Sequence, residues 1–405
     1  MKKRSLVWAL SMFLLVGAAL TGCGPQVKES NQPAAAPAPS GTTTAPAPQE
    51  FVIGIAIDMS AGTASYGVAA QQATTIAIEE FNAAGGYNGA KAKLVLYDDA
   101  ANPQKSQELI TRLISQDKAV ALIGPANSGN ANQHIETVQK AEIPEVIPVA
   151  TAAAITEKYK AEPKNYIFRI SMVDSGQVLT MLRWAKEKGY KKVGVLHDTT
   201  GYGTFGVDEV KKQAAGFGVE VVATQSFQVG DTNMEPQLNK MRDAKPDMVI
   251  IYALSPEVSQ VLKSADKINY APVFMGSWAS GDPLLKQLVG NLVNKGNLFM
   301  IQSFTPDQSP AATEFDKKMQ ARYGDKYIFP IAAAQTYDSL NIILQAIKKV
   351  GPDPKKIRDA IESMTDFKAI TAAPAQPFTK DKHDALNGDV MFVGTWKDGR
   401  VVKAK

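Results

Sequence analysis

The sequence predicts an α/β protein of two lobes, each a mainly parallel sheet flanked by helices, joined by several crossings. Three observations carry the two-lobed α/β reading. Short apolar runs alternate with amphipathic segments along most of the chain, the pattern of successive βαβ units. The alternation restarts near the middle, so one sheet is followed by another. A length of 405 residues exceeds one ordinary core, and each half is long enough to fold without covalent staples.

The chain opens with Lys2-Lys3-Arg4 and an apolar run over 6–20, a charged region and hydrophobic region that read as an export signal rather than a membrane span. Leu20-Thr21-Gly22-Cys23 follows and resembles a bacterial lipoprotein signal, in which the cysteine receives lipid and becomes the new N-terminus. Cys23 is the single cysteine, so the rest of the chain has neither disulfides nor a thiol nucleophile. Residues 1–22 are therefore expected to be the signal peptide and 23–50 a lipid-anchored tether. The Pro, Ala, Thr and Ser that dominate 24–49 cannot bury enough surface to offset their ordering entropy.

In the body, strands are expected at 51–57, 93–97, 119–123 and 145–149, with helices at 69–84, 103–116 and 128–141. The second series has strands at 166–171, 192–197, 220–227, 248–252, 273–275 and 297–302, and helices running to 188 and over 204–215, 234–244 and 256–267. Helices at 311–323, 332–350 and 354–363 and strands at 390–396 and 401–403 close the chain. A helix pair placed after the second strand series fits best if the chain returns to cover the first sheet. This assigns 51–171 and 303–372 to lobe 1, and 172–302 and 373–405 to lobe 2. Several crossings beside a cleft suit closure around a ligand.

Charge and motifs exclude several functions. The formal charge is +4, of which Lys2, Lys3 and Arg4 supply three, so 4 − 3 leaves +1 and no nucleic-acid surface. His134, His197 and His383 are far apart and lack metal-ligand spacing, so neither a metal nor a catalytic histidine is expected. Asp98-Asp99 at a strand end reads as a loop anchor before an acid–base pair. Gly201-Tyr202-Gly203-Thr204-Phe205-Gly206 matches the dinucleotide fingerprint. Three residues separate it from its strand, however, and the acid about twenty positions on begins the next strand instead of ending it. It reads as a loop presenting Tyr202 into a cleft, and no cofactor is expected.

The informative loops lie at strand ends, where open α/β sheets place ligands: 59–67, 124–128, 148–151, 201–203 and 276–278. Ser128 is expected to cap the helix over 128–141, so that its hydroxyl and the first-turn amides face an anion together.

Taken together, Met59-Ser60 with Tyr66-Gly67, Asn82-Ala83-Ala84-Gly85-Gly86 with Gly89, Tyr97-Asp98-Asp99, Ile123-Gly124-Pro125 with Ser128, Pro148 with Ala150-Thr151, His197-Asp198 with Tyr202-Gly203, Phe274-Met275-Gly276, Thr336-Tyr337-Asp338, and His383-Asp384 with Asn387-Gly388 resemble one family in order and spacing. It is the type I periplasmic binding proteins of the branched-chain amino acid ABC-transporter group, and the likeness covers 51–405. The resemblance implies two lobes joined by three crossings, a small ligand between them, and delivery to a membrane permease. It also implies that Ser128, Val149 and Thr151 hold a carboxylate and that Tyr66 and Tyr202 line the pocket. One departure stands out. Amino-acid binders carry an acid for the ammonium after the Phe-Met-Gly strand, where this chain has Trp278, and a further pocket aromatic falls at Leu254. A buried ammonium without a counter-charge costs several kcal/mol. Either a carboxylate elsewhere substitutes, or the ligand lacks an ammonium; Trp278 suits an aromatic or aliphatic acid by stacking, or a bulky cation by cation–π contact. Trp278 packing beneath the cleft is the plainer alternative.

The expectation is thus a monomeric, lipid-anchored solute-binding protein, not an enzyme, on the outer face of the cell membrane or in the periplasm. It captures a small carboxylate-bearing solute and presents it to ABC permease subunits. A sensory module passing occupancy to a membrane receptor is the alternative, and an exported enzyme is disfavoured by the missing catalytic constellation.

Overall fold

The computed structural model describes residues 49–327 and 329–404. The signal sequence, Cys23 and nearly all of the tether lie outside them. The first series comprises β1 (Glu50–Ile57), α1 (Ala64–Ala83), β2 (Lys91–Asp98), α2 (Pro103–Ser115), β3 (Ala119–Ile123), α3 (Ser128–Ala141), β4 (Glu145–Ile147), the short α4 (Ala154–Glu157) and β5 (Ile167–Arg169). The second comprises α5 (Asp174–Glu187), β6 (Lys192–Asp198), α6 (Gly201–Gln213), β7 (Glu220–Phe227), α7 (Glu235–Ala244), β8 (Met248–Tyr252), α8 (Ser255–Lys267), β9 (Phe274–Gly276), α9 (Pro283–Val289) and β10 (Leu298–Gln302). Then come α10 (Pro310–Tyr323), α11 (Pro330–Val350), α12 (Pro354–Glu362), β11 (Phe392–Lys397) and β12 (Arg400–Lys403).

Two sheets result. The first has the order β2-β1-β3-β4-β5 and is wholly parallel. The second runs β12-β11-β10-β9-β8-β6-β7; its first five strands in sequence are parallel, and β11 and β12 join as antiparallel edge strands. Both are buried on two faces, which is why their strands read as nearly continuous apolar runs. Along β1, Ile53, Ile55 and Ile57 face the core under α1 and α11, and Ala56 faces the one under α2 and α3. Truncating one of these isoleucines to alanine costs about 2–5 kcal/mol, because a close-packed interior cannot refill the space.

The chain crosses between the sheets after β5, after β10 and before β11. Helix α11 packs on α1, β3 and β4 of the first series. The stretch around Asp384 also stays there: it bridges Arg169 in parallel, and the Ala385 amide donates to the Arg169 carbonyl at 2.9 Å. A lobe boundary at 373 does not anticipate this. The buried Arg169 guanidinium holds the segment in place by pairing with the Asp384 carboxylate at 2.6 Å.

Two helices begin earlier than their apolar periodicity suggests, α1 at Ala64 and α6 at Gly201, so Tyr66 and Tyr202 ride on first helical turns and not on loops. In each case a buried carboxylate at the preceding strand end tightens the turn. Asp58 accepts from the amides of Ser60, Ala61 and Thr63 and from the Thr63 hydroxyl. Asp198 accepts from the Thr200 amide and hydroxyl.

Candidate functional site

Each sheet reverses its winding between its first and third strands, β1 and β3 in one and β6 and β8 in the other, and such switch points open a crevice at the strand ends. One small cavity, of about 10 Å³, draws its walls from both crevices. The first sheet's loops contribute Thr63, Tyr66, Ala126, Asn127, Val149 and Thr151, and the second's contribute Tyr202, Leu254 and Trp278. A larger groove, of about 720 Å³, lies between α1, α10 and α11, away from every strand end of either sheet.

The small cavity is the candidate because of what points at it. The hydroxyls of Tyr66, Thr151 and Tyr202 are buried and have no hydrogen-bond partner. Buried polar groups are nearly always satisfied, and leaving one unpaired costs about 1–3 kcal/mol. Three such groups around one cavity mark a place where partners are to be supplied. Burial pushes the pKa of Tyr66 and Tyr202 well above the ordinary phenol range, with the carboxylates of Asp282 and Asp174 respectively adding to it, so both remain neutral donors.

Of the expected residues, Tyr66, Val149, Thr151, Tyr202 and Trp278 come together here, with Leu254 beside them. Ser128 sits just behind the wall and is not the helix cap. Asn127, in extended conformation, caps α3 instead, its Oδ1 accepting from the Gly129 amide at 2.8 Å. The short amide side chain of asparagine caps as well as serine does, which places Ser128 inside the first turn. Its Oγ accepts from the amides of Thr151 and Ala152, each at 3.2 Å. A hydroxyl has two lone pairs and one proton, so this arrangement leaves the proton free to donate.

Asp174 was not singled out in the sequence. It starts α5, at the first crossing, and is completely buried. Its amide donates to the Thr151 carbonyl at 2.9 Å, and its Oδ1 accepts from Tyr252 Oη at 2.7 Å and Gln177 Nε2 at 3.2 Å. Its Oδ2 has no partner, and the neighbouring Thr151 hydroxyl makes no well-formed bond to it. Burial pushes the carboxyl up to about 6, with the Thr151 and Tyr252 hydroxyls and the Arg169 charge holding it from rising further. Arg169 also steadies the loop that carries Thr151, donating to the Ala152 carbonyl at 2.7 Å and to the Thr156 hydroxyl at 3.1 Å.

Trp278 spans the cleft. Its ring lies edge-on to Tyr66 with centroids 5.1 Å apart and stacks over Phe329 at 6.1 Å, both on the first lobe's side. Close by, the Ser65 hydroxyl donates across the cleft to Asp282 at 2.7 Å. The three glycines of the fingerprint-like motif have separate steric duties. A Cβ on Gly201 would come within 2.8 Å of Gly129 on the other lobe, one on Gly203 within 2.3 Å of the Asp198 carbonyl, and one on Gly206 within 2.0 Å of the Tyr252 ring. The motif therefore reports close helix–strand and lobe–lobe approach, the same demand that a pyrophosphate makes on a turn.

Asp98 and Asp99 act as loop anchors. Asp98 accepts from the Met59 and Ala100 amides and the Ser60 hydroxyl, and Asp99 from the Ala101 amide and Asn130 Nδ2. His134, on the buried face of α3, lies between Ser106 and Glu145, and His383 is buried beside β5, where its Nδ1 meets the Ile167 carbonyl oxygen. Neither histidine lines the cavity.

Against known proteins, a family model described as periplasmic binding protein matches residues 50–400. The chain belongs to that family. This binding protein is of type I, in the branched-chain amino acid group. It is 27% identical over 319 residues to a leucine-, isoleucine-, valine-, threonine- and alanine-binding protein of Pseudomonas aeruginosa, covering 77% of this chain and 82% of that one. It is 24% identical over 354 residues to Leu/Ile/Val-binding protein homolog 1 of Brucella abortus, covering 86% and 91%. A type 1 periplasmic binding protein from Bordetella pertussis superposes with a TM-score of 0.80 at 25% identity, covering 88% of this chain and all of that one. The fold is shared with a Streptococcus pneumoniae branched-chain amino acid transporter substrate-binding protein crystallised with isoleucine, at TM-score 0.76 and 24% identity, covering 88% of this chain and 100% of that one. Membership places the body outside the cytoplasm, and no described helix is long and apolar enough to cross a membrane.

Proposed function

We propose that this protein captures a zwitterionic amino acid between its lobes and passes it to an ABC permease, tethered at the membrane by a lipid on Cys23. The observation that carries the amino-acid reading is the juxtaposition of unpartnered donors and an unpartnered acid at one cleft. The free proton of Ser128, the start of α3 and the tyrosine hydroxyls suit a carboxylate. The buried Asp174 carboxylate, next to Thr151, suits an ammonium. It takes the place of the acid that Trp278 displaces, so the first of the two alternatives left by the sequence is favoured.

A bare monocarboxylate fits less well. No lysine, arginine or histidine lines the cavity, and Asp174 repels an anion unless a positive group lies between them. The names of the Pseudomonas and Brucella relatives, all amino-acid binders, point the same way. Binding here requires no covalent chemistry; affinity comes from contacts made only when the lobes close.

A thermal-shift screen of amino acids against matched acids and amines tests this, since a ligand of the folded state raises the melting temperature by mass action. Stabilisation by amino acids alone is expected. Stabilisation by an acid lacking the amino group, and not by its amino acid, contradicts the reading. Replacing Cys23 with serine is expected to release the protein from the membrane fraction; retention there contradicts the lipid anchor.

A further inference from the structure

We infer that Trp278 sets the size limit of the ligand, so that the site takes amino acids with the smallest side chains and excludes branched aliphatic ones. This rests on the amino-acid reading above and concerns the opposite end of the same cleft. The space between the closed lobes, about 10 Å³, holds no more than one water. The hydroxyls of Tyr66, Thr151 and Tyr202 line it without partners and suit a polar head, and Asp174, whose Oδ2 is also without a partner, adjoins Thr151. Where a side chain would extend from that head, the volume is already filled by the indole of Trp278, 2% exposed and packed against Tyr66 and Phe329.

The main chain beneath the indole is fixed, and the ring itself is held by its contacts with Tyr66 and Phe329. The Trp278 amide donates to Gln177 Oε1 at 3.0 Å, and its carbonyl accepts from Gln302 Nε2 at 3.3 Å. Both bonds are buried, so moving the residue strands two main-chain groups away from water. The Ser65–Asp282 hydrogen bond then closes the cleft beside it. A ligand no bulkier than glycine, alanine or serine needs the lobes to part only by the thickness of its head. Leucine must displace the ring. In a packed pocket one methylene changes affinity by about 10- to 200-fold, so the three additional carbons of leucine are expected to be heavily penalised. The sequence left stacking on a ligand and packing beneath the cleft both open; the contacts of the ring with Tyr66 and Phe329 favour packing.

Calorimetric titration of the full mature chain with glycine, alanine, serine, leucine and isoleucine tests the inference, in the wild type and in W278A and W278F. The wild type is expected to bind alanine or serine at least about 100-fold more tightly than leucine. W278A is expected to gain leucine affinity at least about tenfold, and W278F less, in proportion to the volume removed. If the wild type binds leucine as tightly as alanine, the size limit is overturned and the amino-acid reading stands. If the wild type excludes leucine and a folded W278F or W278A still does, the role of Trp278 is overturned. If a cooperatively folded wild type binds no amino acid at all, both fall together.

Discussion

After β1 the Asp58 carboxylate gathers the amides of Ser60, Ala61 and Thr63, and after β6 the Asp198 carboxylate gathers that of Thr200. Each turn leads into a helix with a tyrosine on its first turn, Tyr66 or Tyr202, and each has a glycine, Gly67 or Gly203, whose Cβ would strike the aspartate's own carbonyl. The difference lies in what the turns are tied to. Asp58 serves only its own turn, whereas Asp198 also accepts from the Leu254 amide at 3.1 Å and so locks two loops of the second lobe together. The first lobe's share of the cavity mixes polar groups with apolar ones: Thr63, Asn127, Thr151 and the Tyr66 hydroxyl beside Ala126 and Val149, with Ser128 behind. The second lobe's share is Tyr202, Leu254 and Trp278. On the proposed reading, one scaffold, used twice, offers a largely polar half for the head of the ligand and, the Tyr202 hydroxyl apart, an apolar half for its side chain.

The largest expected effect falls where the two halves meet. Asp174→Asn removes the charge that pairs with the ammonium, and leaving a buried charge unpaired costs about 3–5 kcal/mol, so amino-acid affinity should drop by at least a hundredfold in calorimetry. Unchanged affinity would remove Asp174 from the site.

Next in size is a wedge between the lobes. Gly201→Val places a side chain against Gly129, 2.8 Å from its backbone, and should weaken binding at least about tenfold by holding the cleft open. Its neighbour behaves differently. A Cβ at Gly203 strikes the Asp198 backbone within one lobe, so Gly203→Ala should lower the melting temperature instead. Identical effects of the two variants on stability would break the distinction between closure and folding.

Ser128→Ala is smaller. It loses one donor to the ligand and the acceptor for two loop amides, about 1–2 kcal/mol in affinity, or roughly 5- to 30-fold. The effect should appear for every amino acid alike, because Ser128 serves the head group and not the side chain; a change confined to one ligand would contradict that.

The pH dependence is the mildest test. Burial raises the Asp174 carboxyl to about 6, above its ordinary 3.8, so the folded state holds this proton more tightly than the unfolded chain. Its contribution to the stability of the free protein therefore increases as pH falls from about 6 towards 4. Asp338, also raised to about 6 by burial, acts on stability in the same direction, but its partners are Ile370 and Thr371, neither of which lines the cavity. Affinity for an ammonium moves oppositely, weakening about tenfold per pH unit below 6 as Asp174 is protonated. Titrations across this range should show stability and affinity diverging; affinity that is flat down to pH 4 would exclude a paired Asp174.

The strand series was legible in the sequence because apolar period and turn residues are local signals, but its restart was read one strand early, since β5 pairs with β4 in the first sheet. The cavity was partly legible for the same reason: ligand loops follow strands, so the stretches carrying Tyr66, Thr151, Tyr202 and Trp278 could be found by position. What escaped depends on partners distant in sequence. Nothing near Asp174 announces Tyr252, and nothing near Ser65 announces Asp282, 217 positions away. The early starts of α1 and α6 were hidden because Asp58 and Asp198 fix them through side-chain bonds that leave no periodicity. Asn127 and Ser128 are both good caps, and only the backbone angles choose between them.

The central claim is that a carboxylate and an ammonium are both read at this cleft, and it is tested most directly by titrating one protein sample with alanine and with propionate, which differ only by the amino group. The account predicts binding of alanine at least about a hundredfold tighter than propionate, with the difference abolished in Asp174→Asn. Propionate binding as tightly as alanine would contradict it.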